Sequence, residues 1–131
     1  MVPPADRRYT RSHVWARSDD RGNVRTGISH VPGIFLGDAV SVDLPPPGTG
    51  IAAGEPIGLV ESSLTVFELL SPVTGTVVAL NPEVESVPRL VTKAPYEEGW
   101  LLTIRPSDSG ELAVLLAAEE YQRFVEGGEG S

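Results

Sequence analysis

The stretch "VESSLTVFELLSPVTGTV" covers residues 60–77. Its spacing predicts a strand over Pro56 to Glu61, a tip at Ser62-Ser63-Leu64-Thr65, and a returning strand over Val66 to Leu70. A turn at Ser71-Pro72-Val73-Thr74-Gly75 and a third strand over Thr76 to Leu80 follow. This is the layout of a hairpin that presents its tip. The tip carries two serines, a threonine and a leucine, and none of the groups that an enzyme would ordinarily load.

Composition limits what such a hairpin can serve. A chain of 131 residues with 40% hydrophobic content makes one domain with a packed core. Its 14 Gly and 12 Pro favour short strands joined by turns over long helices. The net charge of −8 opposes binding to nucleic acid or anionic lipid, both of which recruit clustered Lys and Arg. The absence of cysteine excludes disulfides, thiolate catalysis and Cys-based zinc sites. No apolar run nears the ~20 residues of a membrane span. The opening MVPPADRRYT lacks the apolar segment of a secretory signal, so a cytoplasmic protein is expected. Lys93 is the only lysine, which leaves one side-chain amine in the chain.

Outward from the hairpin, residues 1–8 are Pro-rich and charged and are expected to be flexible. A hairpin is expected over residues 13–28, turning at Asp19-Asp20-Arg21-Gly22-Asn23. Pro32 and Gly33 limit the next segment to a short helical turn. Val40, Val42 and Leu44 alternate as on a half-buried strand. Residues 81–99 read as irregular, and "GWLLTIRP" as a last strand. The segment 107–126 reads as helical, with Asp108 and Glu111 spaced as a capping box and a possible break before Tyr121. Residues 127–131 read as a disordered tail. His13 and His30 have no partner at metal-ligand spacing, so no metal site is expected. No nucleophile–base pair or phosphate loop is visible, and Gly48-Thr49-Gly50 is a turn, so no catalytic residues and no enzymatic activity are expected.

The motifs in register resemble those of the glycine cleavage system H protein, a lipoyl carrier. They are Tyr9-Thr10, His13-x-Trp15, Gly27-Ile28, Leu36-Gly37-Asp38, Gly54-Glu55-Pro56-x-Gly58-x-Val60-Glu61-Ser62, Ser71-Pro72-Val73-x-Gly75, Pro95-Tyr96-x-x-Gly99-Trp100-Leu101 and Arg105-Pro106-Ser107. The resemblance spans residues 9–126. It implies a mainly β barrel-sandwich hybrid of two sheets with a short C-terminal helical segment.

It also implies a lipoyl lysine at the hairpin tip, serving the P, T and L proteins of that system. Leu64 stands at that lysine's position, and an alkyl side chain cannot be acylated, so lipoate is expected to be absent. The family's His-Glu-Trp is here His13-Val14-Trp15, which removes an acid from the cargo cleft. Phe35 adds an apolar side chain to the same region, so Val14 and Phe35 are expected to line a former cargo cleft. Glu61, Ser62, Ser63, Leu64 and Thr65 are expected to form a partner-binding tip. The expected function is a non-catalytic binding, scaffold or regulatory module that meets protein partners, either those of glycine cleavage or a lipoyl-handling enzyme. The alternatives are an interaction protein recruited to another pathway, or a carrier that uses a different attachment site such as Lys93.

Overall fold

The computed structural model describes residues 2–108 and 110–127. Nine strands and five short helices follow in order: β1 (Arg8–Tyr9), β2 (Val14–Ser18), β3 (Val24–Ile28), α1 (Val31–Leu36), β4 (Ala39–Asp43), β5 (Gly50–Ile51), β6 (Pro56–Ser62), β7 (Val66–Leu70), β8 (Gly75–Leu80), α2 (Pro82–Ser86), α3 (Leu90–Lys93), β9 (Leu102–Pro106), α4 (Gly110–Ala113) and α5 (Ala118–Gly127). They build a six-stranded sheet, β1-β2-β3-β9-β8-β5, and a three-stranded sheet, β4-β6-β7.

The core lies between the sheets because the strands alternate in polarity. On β2, Val14 and Ala16 point inward, in register with Ile28 and Thr26 of β3. Across the sandwich, Val60 and Leu69 are buried and Val42 and Phe67 pack against the same core. Trp15 points the other way, out of the sandwich and beneath α5, beside Tyr9, Tyr96 and Tyr121. β2 is therefore buried on both faces.

Val40 departs from the expected alternation. Ala39 pairs with Ser62 and Ser41 with Glu61, so Val40 is the extra residue of a β-bulge. A bulge leaves its extra residue unpaired and re-aims the side chain, and Val40 faces solvent. Residues 81–99, expected to be irregular, include two helices. Asn81 caps α2 by accepting from Glu83 N at 3.0 Å, with Pro82 in the first turn.

The capping box is replaced as well. Asp108 Oδ1 accepts from Gly110 N, while the Glu111 carboxylate leaves its own helix and accepts from Thr74 N (2.7 Å) and Thr74 Oγ1 (3.0 Å). The segment expected to be flexible is packed: Pro3 and Arg7 are buried. The Arg7 guanidinium lies 4.6 Å from the centroid of Trp15 and donates to Tyr96 O at 2.9 Å and to Asp6 at 2.8 Å. Cation–π contact and charged hydrogen bonds hold it more firmly than a Pro-rich composition suggests. Of the expected tail, residues 128–131 lie outside the described residues, and Gly127 closes α5.

Candidate functional site: the β6–β7 hairpin tip

The tip is built by Ser62. Its N–H donates to Thr65 O at 2.9 Å, and its Oγ accepts from Leu64 N (3.1 Å) and Thr65 N (3.2 Å). The hydroxyl thus fastens the backbone at Leu64 and Thr65, a serine turn that needs nothing from the side chain at position 64. Ser63, Leu64 and Thr65 are exposed, Leu64 at 76%. At the base of the tip, Glu61 is half-buried and accepts from Ser41 Oγ at 3.0 Å.

Helix α1 flanks the tip. It ends at Gly37, whose φ of 73° is a conformation that favours glycine. A Cβ built on Gly37 would lie 3.9 Å from Leu64 Cδ1, so the leucine lies over the end of α1. Phe35 of α1 is half exposed, with its ring centroid 6.3 Å from that of Phe67 on β7. Val14 is elsewhere. It has no exposed surface and sits in the main core with Ile28 and Leu36. The expected pairing of Val14 and Phe35 along an open cleft is therefore replaced by one core residue and one surface residue. An apolar side chain at position 14 fills the space between the sheets.

Behind α1 lies an open groove lined by His30, Gly33, Ile34, Gly37, Asp38, Thr92 and Lys93. Lys93 is exposed at the end of α3, and no amine is present at the tip itself. Lipoate is attached through an amide to an amine, so the residues at the tip do not fit that group. No cluster of His, Cys, Asp and Glu suited to a metal ion occurs among the described residues. Nor is any described helix long and apolar enough to cross a membrane.

The histidines belong to an aromatic clamp on the opposite face of β2. Tyr121 stacks on Tyr9 at 4.7 Å, and its hydroxyl lies 2.7 Å from His13 Nδ1 and 2.6 Å from Ser29 Oγ. The Tyr96 hydroxyl lies 2.8 Å from His30 Nδ1. Burial pushes the Tyr121 hydroxyl up to about 12, so it stays protonated and can donate to a neutral imidazole.

Burial lowers the pKa of His13, with a smaller contribution from His30, and burial also lowers that of His30. The unfolded chain therefore binds protons that the folded chain resists. Stability is complete above the unfolded value of ~6.5 and is lost as pH falls through the lower folded values. The thermal midpoint is expected to drop between pH 7 and pH 5. His13→Asn, which tolerates the local φ of 69°, should flatten that slope. An unchanged slope in the variant would remove His13 from the account.

Two facing sheets, an exposed hairpin on the smaller one and a short C-terminal helix define a barrel-sandwich hybrid of the lipoyl-domain type. Residues 7–128 match the Glycine cleavage H-protein family. The Bacillus subtilis glycine cleavage system H protein is 41% identical over 126 residues, covering 96% of this chain and 98% of its own length. The H protein of Anaeromyxobacter sp. (strain K) is 43% identical over 126 residues, with 96% and 98% covered. The crystal structure of the Mycobacterium marinum H protein superposes with a TM-score of 0.84 at 37% identity, covering 95% of this chain and 99% of that one. The chain belongs to the glycine cleavage H-protein family. Proteins of this family are carriers that meet protein partners, and are not themselves enzymes.

Proposed function

We propose that this protein is an H-type docking module that carries no lipoate on its hairpin and binds a glycine cleavage P, T or L protein, or a lipoyl-handling enzyme, as a scaffold or regulator. The observation that carries this reading is Leu64. It stands at the exposed tip, at the position where the resemblance places the loaded lysine, and it has no nucleophile. Ser62 does not substitute for it, since its hydroxyl is occupied in building the turn. Intact mass and peptide mapping of the protein isolated from its native host test the reading. An unmodified chain is the expected result.

A second reading, a carrier with a displaced attachment site, draws support from Lys93. That residue is exposed and lines the groove that Gly37 shares with the tip. A lipoyl or other acyl adduct on Lys93, or on a tip serine, would establish this second reading and overturn the first.

A further inference from the structure

Seven large apolar side chains are exposed among the described residues, and four of them lie at or beside the tip: Phe35, Val40, Leu64 and Val66. Independent features bring them together. The bulge turns Val40 outward opposite the base of the tip. The apolar helix α1 carries Phe35 against Phe67 of β7. Leu64 lies over Gly37, which ends α1.

The polar surroundings have one sign. In the three-stranded sheet, paired residues share a face. Ser41, Glu61 and Val66 form one outer row, and Asp43, Leu59 and Glu68 form the next. This outer face holds three carboxylates and no cation. Residues 31–88 as a whole hold seven of the 18 acids and none of the Lys, Arg or His, so they carry −7 of the net −8. The nearest downstream cations are Arg89, which precedes α3 as its N-cap residue, and Lys93 at its end, across the groove behind α1.

From this juxtaposition we infer that the hairpin tip with α1 is a docking surface, with Leu64 as its apolar anchor, for a protein face that offers an apolar recess rimmed by arginine or lysine. The inference rests on the reading of the chain as a docking module and names the surface and chemistry that module uses. A second copy of the chain is a poor occupant. Its own carboxylates would face these carboxylates, and like charges repel. An anionic membrane is repelled by the same field. A basic-rimmed recess gains both from desolvating the anchor and from complementary charge, the first slowing dissociation and the second speeding association.

The test titrates the full chain against the host's own P, T and L proteins, each purified, by calorimetry and stopped-flow at several salt concentrations. Leu64→Ser and Phe35→Ser sit on exposed positions and keep the fold, as circular dichroism would check. Glu119→Gln on α5 is the control. The expected result is binding to at least one protein that weakens roughly tenfold or more in Leu64→Ser. It should associate more slowly in Glu68→Lys and at high salt, and stay unchanged in Glu119→Gln. Binding that ignores the tip variants would overturn the surface and leave the docking module standing. Binding to none of the three proteins, nor to the host's purified lipoate–protein ligase titrated in the same way, would overturn both. Self-association detected by sedimentation and abolished by Leu64→Ser would instead assign the patch to a second copy and overturn the heterologous partner.

Discussion

Leu64→Lys, incubated with lipoate–protein ligase, ATP and lipoate, is expected to gain one lipoyl group at position 64, while the parent chain stays unmodified at the tip. The turn is held by the Ser62 hydroxyl on the backbone of Leu64 and Thr65. The substitution therefore leaves the turn's hydrogen bonds intact. Position 64 is 76% exposed, so a lysine there projects into solvent with its amine free. Glu61 at the base adds a favourable charge, and the cost in stability should stay within about 0.5 kcal/mol, as for other exposed sites. Intact mass before and after incubation reads the result, and peptide mapping assigns it. A variant that folds but stays unmodified would mean that the tip's flanks, Ser63 and Thr65 among them, no longer present position 64 as an acceptor. The two outcomes separate a mount that lost one side chain from a mount rebuilt for another use.

Gly99→Ala is expected to destabilise the protein by about 3 kcal/mol, the upper end of the range for overpacked buried sites. Gly99 N donates to Ala94 O at 2.8 Å as the chain leaves α3. A Cβ at position 99 would collide with the Leu90 carbonyl oxygen and lie 2.7 Å from that of Ala94. Both obstacles are backbone, so relief requires unwinding α3 or breaking the contacts that follow. Those contacts include the Asn81 side-chain amide, which donates to Glu98 O (2.8 Å) and Trp100 O (2.7 Å) and so ties the start of α2 to this connection. Urea unfolding of parent and variant measures the difference. A loss below about 1 kcal/mol would show that the α3–β9 connection yields easily, against the geometry.

The elements that were legible are those whose signals are local. Turn residues bracket β3 and β7, and both strands fall where the spacing places them, Val24–Ile28 and Val66–Leu70. The tip at residues 62–65 follows from the same punctuation. The bulge at Val40 was not legible, because an extra residue is defined by the partner strand and cannot be seen in alternation alone. The inward place of Val14 was half legible. Val14 and Ala16 share one face and Trp15 takes the other, and two apolar faces mark a strand covered on both sides. Helices α2 and α3 are too short for hydrophobic periodicity, although Asn81-Pro82 offered a cap and first-turn proline that would have located α2. Glu111 leaves its capping role for Thr74, 37 residues away, and Arg7 is enclosed by Trp15 and Tyr96. Contacts of that range leave no trace in spacing.

The way the two sheets divide the sequence also orders their assembly during synthesis. β4, β6 and β7 lie within residues 39–70 and meet as neighbours, so the hairpin-bearing sheet has all its strands once residue 70 has emerged. The six-stranded sheet joins β3 to β9, residues 24–28 to 102–106, and Tyr9 bonds reciprocally with Leu116 at 2.8 Å in each direction. These closures span nearly the whole domain and carry the larger loop entropy. On a ribosome, the tip can take shape while the aromatic clamp still lacks Tyr96 and Tyr121. Nascent chains thus expose an apolar tip before the body behind it is complete, and the carboxylates along β4, β6 and β7 are already in place to keep such chains apart.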